Sequence, residues 1–172
     1  MRILFTACFC LLLSGVGLNA QTAPVISASI CPFSPYVDTS GIFPNAGYSV
    51  GTTVPDFTLY DSTNTPHSLY SYLGQGKPVV IISGSYTCPQ YRNSLINLIP
   101  QMDIAYGSLI NILVVYTLEA HPELPWNSPY AYGPWVAGIN IANGISFAQH
   151  QTYYDRLNMM DTTMANCPVN HV

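Results

Sequence analysis

The chain has 172 residues, enough for one domain with a proper buried core. Hydrophobic residues make up 49% of it and charged residues only 7%, so the polar surface is built from Ser, Thr, Asn, Gln and the 13 Tyr. Four basic side chains and a net charge of −4 leave no basic patch, which argues against a nucleic-acid partner.

The first twenty residues carry one positive side chain, Arg2, then an apolar run from Ile3 to Leu13, then Ser14, Gly15, Gly17 and a small residue at Ala20. No acidic residue precedes Asp38. This is the pattern of a secretory signal peptide over 1–20, with export to a periplasmic or extracellular space. The alternative is an N-terminal membrane anchor, although the apolar run falls short of the ~20 residues a span needs. Residues 21–49 are rich in Pro, Ser, Gly and Ala and read as an extended lead-in. Residues 50–172 read as the domain.

Five cysteines are present, and removal of the leader takes Cys8 and Cys10. Cys31, Cys88 and Cys167 remain, an odd number, so at least one thiol is free or pairs with a partner. No Cys-x-x-Cys occurs, which excludes a dithiol centre within one turn.

The domain opens with VPDFTLYDSTNTPHSLYSYL, whose alternation predicts a short strand, a polar turn and a second short element. KPVVIISG at 77–84 is a continuous β-branched run and predicts a strand buried on both faces. Pro89 suits the first position of a helix, and Leu95, Leu98, Ile99 and Met102 then recur at helical spacing. Pro100 is expected to kink or end that helix. SLINILVVYT at 108–117 predicts a second buried strand, HPELPWNSPYAYGPW a Pro-rich loop, and AQHQTYYDRLNMM the start of another helix.

Strand, helix and strand in that order imply a parallel pair whose carboxyl ends lie on one edge of the sheet. Chemistry in α/β folds sits at that edge. Cys88 follows the first strand and Glu119 and His121 follow the second, so residues some thirty apart in sequence are expected to be neighbours. A cysteine at a helix start meets conditions that favour thiolate over thiol. Ser85 or Thr87 is placed to hydrogen-bond the sulfur, and Arg92, one helical turn on, to add positive charge. Glu119 and Glu123 flank His121, an arrangement for acid–base chemistry in which a carboxylate orients the ring. Trp126 either walls a pocket or covers the sheet edge. The histidines show no ligand spacing, so neither a metal nor a cofactor is expected.

VPDFTLYD, KPVVIISGS and the Cys-Pro helix start resemble the thioredoxin-like redoxin superfamily, and Ser85 to Pro89 is similar to the Thr/Ser-x-x-Cys-Pro signature of peroxiredoxins. A closer resemblance is to the iodothyronine deiodinase family, whose motifs are Gly-Ser-Cys-Thr-selenocysteine-Pro, Glu-Ala-His with a nearby Trp, His-Gln-x-x-x-Asp-Arg-Leu and Cys-Pro-Val. This sequence reads GSYTCP at 84–89, EAHPELPW at 119–126, HQTYYDRL at 150–157 and CPV at 167–169. The resemblance implies an α/β, thioredoxin-like fold with a central sheet flanked by helices. It places Cys88 where the family carries selenocysteine, gives Glu119, His121 and Trp126 the family's Glu-Ala-His loop, and makes His150 and Arg156 substrate-binding. It implies reductive removal of iodine, with His121 as proton donor or halogen-pocket group. Tyr86 stands where a resolving cysteine would be, and the family's later strands, its proline loop and its last helix find no match before Val172. The domain is therefore expected to be incomplete at its C-terminus.

Three functions follow. One is a deiodinase-like oxidoreductase in which the Cys88 thiolate attacks a halogen, regenerated by an external thiol or thioredoxin-like reductant. Another is a peroxidase in which Cys88 attacks a peroxide and Cys31, Cys167 or an external thiol resolves the sulfenic acid. The third is an exported, non-catalytic binding module. A homodimer is compatible with all three.

Overall fold

The structure is a computed structural model that describes residues 48–124 and 135–169. The leader, nearly all of the lead-in with Cys31, and Trp126 lie outside the described residues.

The segment DSTNT turns because its first and last residues can be tied through one carboxylate. Asp61 Oδ1 accepts from Thr63 N and Thr65 N, each at 2.9 Å, and Asn64 adopts φ 65° at the tip. The turn joins β1 (Thr58–Tyr60) to β2 (Pro66–Ser68) as an antiparallel pair. A one-turn helix, α1 (Leu69–Leu73), follows with Leu69 buried. His67 bridges hairpin and helix, 3.1 Å from Asp61 Oδ2 and 2.6 Å from the Tyr72 hydroxyl.

The β-branched run becomes β3 (Val79–Gly84), and the second run becomes β4 (Asn111–Tyr116). They pair in parallel and in full register, from Val79 opposite Asn111 to Gly84 opposite Tyr116. The chain is thus mixed α/β, but among the described residues the strands form two separate two-stranded sheets rather than one central sheet. The expectation that β3 is buried on both faces needs correction. Ile82 packs into the core, whereas Ile81 is 44% exposed, because among the described residues no element covers its face.

Between the strands the chain is helical from α2 (Pro89–Asn93) through a π turn at Ser94–Leu98 into α3 (Ile99–Tyr106). Pro100 does not end the helix. Lacking an N–H, it breaks the i→i−4 ladder, and the wider turn just before it absorbs the defect. Leu95 and Ile99, four apart, have no exposure and form the centre of the core with Tyr86, Tyr91, Met159, Cys167 and Val169. A short helix not anticipated from sequence, α4 (Gly138–Ala142), precedes α5 (Tyr153–Asn166). Thr152 and Asp155 form a capping box at the start of α5, which fixes that boundary.

Gly84, the last residue of β3, is where α2 folds back onto the sheet. A Cβ there would lie 2.8 Å from Tyr91 Cβ and closer still to its ring. Gly84→Ala is therefore expected to cost about 1–3 kcal/mol by overpacking. A denaturant midpoint equal to wild type would show instead that Tyr91 can give way.

Candidate active site

Because Gly84 and Tyr116 are level in the register, the loops after β3 and β4 leave the sheet side by side. They are then stitched together. Ala120 N donates to Ser85 Oγ at 2.9 Å, His121 N to Thr87 Oγ1 at 3.0 Å, and Thr87 N to Glu119 Oε2 at 3.0 Å. The expectation that Cys88 neighbours the Glu119–His121 loop agrees with this geometry.

Glu119 has no solvent exposure and is the hub of the junction. Besides Thr87 N, its carboxyl takes a hydrogen bond from the Tyr116 hydroxyl. Its own backbone is clamped by Gln149, which accepts from Glu119 N at 2.9 Å and donates to Glu119 O at 3.0 Å. Those donors favour the carboxylate, but burial outweighs them and raises the pKa toward the neutral acid. Burial and the neighbouring Glu119 also push the Tyr116 phenol far above its ordinary range.

Cys88 is the N-cap residue of α2, half-buried, with Pro89 at the first helical position. Its N–H donates to Ser85 O at 3.0 Å, and its thiol lies 3.6 Å from Gln90 Oε1. The hydroxyls of Ser85 and Thr87, read from sequence as partners of the sulfur, instead accept from Ala120 N and His121 N of the facing loop. Arg92 is likewise engaged elsewhere. It donates to Tyr86 O through Nη1 and to Asn140 Oδ1 at 2.7 Å through Nη2, with its guanidinium 5.5 Å over the Tyr86 ring.

His121 is 7% exposed, with Nδ1 at 3.3 Å from Trp135 O and its ring edge-to-face with the Trp135 indole at 4.2 Å. Burial lowers its pKa, opposed by the Trp135 carbonyl and aided by the Arg92 charge. The aromatic group at this histidine among the described residues is thus Trp135, nine positions beyond the Trp of the sequence motif. His150 and Arg156 lie together, with Arg156 Nε donating to His150 Nε2 at 3.1 Å. His150 is 3% exposed against Tyr116, its pKa lowered to about 4 by burial. It is neutral at pH 7, Nδ1 carries the proton, and that nitrogen has no hydrogen-bond partner among the described residues.

Cys167 is a free thiol, 2% exposed, in the core cluster against which Cys88 packs. Burial raises its pKa while the Arg92 charge works the other way. Among the described residues no group of three or more His, Cys, Asp and Glu side chains is disposed to hold a metal ion. Nor is any helix among them long and apolar enough to cross a membrane.

Tyr116, Gln149, Asn140 and Trp135 are site residues that motif reading passed over. Tyr116 carries the one available signal, since a parallel register places the last residue of β4 beside the last of β3.

No family model matches the chain. It is 25% identical over 129 residues to a type I iodothyronine deiodinase of Xenopus laevis, across 70% of the chain and 43% of that protein. The chain thus spans less than half the length of this relative. The similarity is distant, and it suggests an oxidoreductase with redox or deiodinase-like chemistry.

Proposed function

We propose that the chain is an exported, thiol-dependent oxidoreductase of deiodinase-like type, with Cys88 as its nucleophile. The observation that carries this reading is the junction of the two strand-end loops, where the residue before a half-buried thiol at a helix start is hydrogen-bonded to a fully buried acid and to the backbone of a buried histidine. The parallel β–α–β unit with Cys-Pro at its helix start supports a thioredoxin-like fold.

In the reaction, the Cys88 thiolate attacks the iodine of an aryl iodide. The carbon–iodine bond breaks, the ring carbon takes a proton, and a sulfenyl iodide forms on Cys88. An external thiol attacks that sulfur, releases iodide and a proton, and leaves a mixed disulfide. A second thiol restores Cys88 and departs as the disulfide, so two electrons come from the reductant and no cofactor is needed. Within this scheme, Glu119 with the Tyr116 phenol is the proton store behind the loop, because burial biases both to their neutral forms. His121 holds its Nδ1 proton toward Trp135 O and is neutral at pH 7, so its other nitrogen offers a lone pair to the halogen. That suits a halogen-pocket group better than a proton donor. Neutral His150 and its partner Arg156 support the Tyr116 side of the site.

The peroxidase reading is favoured by one observation, the presence of Cys167 in the cluster under Cys88. The two readings separate in one assay with excess dithiothreitol as reductant. Deiodination predicts iodide release from 3-iodotyrosine or an iodothyronine. Rapid sulfenic acid formation on Cys88 with hydrogen peroxide, and no iodide from any iodinated aromatic, would replace it with the peroxidase.

A further inference from the structure

Asn140 is a polar side chain with no solvent exposure, on a five-residue helix. Burying a primary amide costs free energy unless both of its ends are bonded. Nδ2 donates to Thr87 O at 2.6 Å, and Oδ1 accepts from Arg92 Nη2 at 2.7 Å. The other guanidinium nitrogen, Nη1, donates to Tyr86 O. Asn140 and Arg92 therefore close a ring onto two consecutive carbonyls of the loop that ends at Cys88.

The opposite edges of the same residues are also held. Tyr86 N donates to Tyr116 OH at 3.1 Å, and Thr87 N donates to Glu119. Asn140 is anchored in turn, its backbone carbonyl accepting from Ile145 N at 2.8 Å and Asn143 N at 3.1 Å. Both edges of residues 86 and 87 are thus gripped, by Arg92 of the helix that follows and by Tyr116, Glu119 and Asn140 from 30 to 53 residues further along the chain.

We propose that Asn140 is a positioning residue for Cys88, acting through Arg92 and the Thr87 carbonyl to hold the thiol in its reactive geometry. The inference rests on the reading of Cys88 as the reacting group. It assigns Arg92 a different task from the one its spacing suggests, since the cation holds the loop carbonyls and does not pair with the sulfur.

The test is the pH–rate profile of Cys88 alkylation by iodoacetamide, followed on the Cys88 peptide by mass spectrometry below the melting range. In Asn140→Ala the rate is expected to fall about tenfold across the profile, because the Thr87 carbonyl and the Arg92 guanidinium lose their shared anchor. Arg92→Lys, which keeps the charge but loses the fork, is expected to behave alike. The double variant is expected to be no slower than either alone, because both act on one unit. A folded Asn140→Ala protein with the wild-type profile overturns the proposal, as do two effects that multiply. Should Asn140→Ala not fold, hydrogen exchange on the wild type decides. The amides of Tyr86 and Thr87 are expected to open together with those of Asn143 and Ile145, and independent opening overturns it. Alkylation is read whether or not iodide is released. A protein that needs Asn140 for Cys88 reactivity yet dehalogenates nothing keeps this inference and loses the deiodinase-like reading.

Discussion

Glu119→Ala is expected to cost at least about 3 kcal/mol of stability, a large share of the roughly 5–15 kcal/mol a domain possesses. The substitution empties a fully buried site and orphans the Thr87 amide and the Tyr116 hydroxyl at once. Each buried donor left without an acceptor costs about 1–3 kcal/mol, and the cavity adds to that. A fall in melting temperature of at least roughly 6–12 °C follows for a chain of this size. Glu119→Gln keeps the volume and one acceptor oxygen, so its loss at neutral pH is expected to be much smaller. The two variants also differ in pH dependence. Burial raises the folded-state pKa of Glu119 above its ordinary value of 4.5. Between those two values the folded state holds a proton that the unfolded chain has released, so wild-type stability falls as pH rises above about 4.5. Below that point both states are protonated and the contribution is complete. Glu119→Gln removes this slope, and urea midpoints measured from pH 4 to 8 would then decline less steeply than in wild type. Parallel curves for the two proteins would mean that Glu119 ionises normally and that the donors, not burial, govern it.

Much of this arrangement is legible in the sequence, and the limits are physical. Two β-branched runs around one helical stretch dictate a parallel pair, and a parallel pair forces Cys88 and Glu119 to one edge. Periodicity therefore locates the site before any contact is known. It cannot say which groups satisfy which, because hydrogen-bond assignment depends on side-chain directions that spacing does not carry. Ser85 and Thr87 precede the thiol in sequence, yet their hydroxyls serve the neighbouring loop. Arg92 lies one helical turn from Cys88, yet its guanidinium reaches back to Tyr86 O. Asn140 escapes notice because its helix is five residues long and without an amphipathic period. Pro100 misleads in the other direction, since a π turn lets the helix continue through it. The exposed face at Ile81 follows from the number of elements around β3, which composition alone does not fix.

On the deiodinase-like reading proposed above, Cys88→Ser is expected to abolish thiol-dependent iodide release, by a factor of at least about a thousand, while leaving the fold intact. The asymmetry comes from the surroundings of the side chain. Among the described residues its sulfur pairs with Gln90 Oε1 at 3.6 Å, a long contact, and a serine hydroxyl at an N-cap position is favourable. The melting temperature should therefore hold or rise slightly. Chemically the exchange is severe, because an alkoxide at neutral pH is far scarcer than a thiolate and attacks a soft iodine poorly. Cys167→Ala then decides how the cycle closes. If external thiol alone reduces the sulfenyl iodide, this variant keeps the wild-type turnover at saturating dithiothreitol. If Cys167 takes part, turnover falls while one equivalent of dehalogenated product still forms per Cys88, and a Cys88–Cys167 disulfide accumulates in wild type when the reductant is withheld. The 2% exposure of Cys167 and the raised pKa of its thiol argue for the external route. Residual iodide release in Cys88→Ser, within tenfold of wild type, would remove Cys88 from the chemistry altogether.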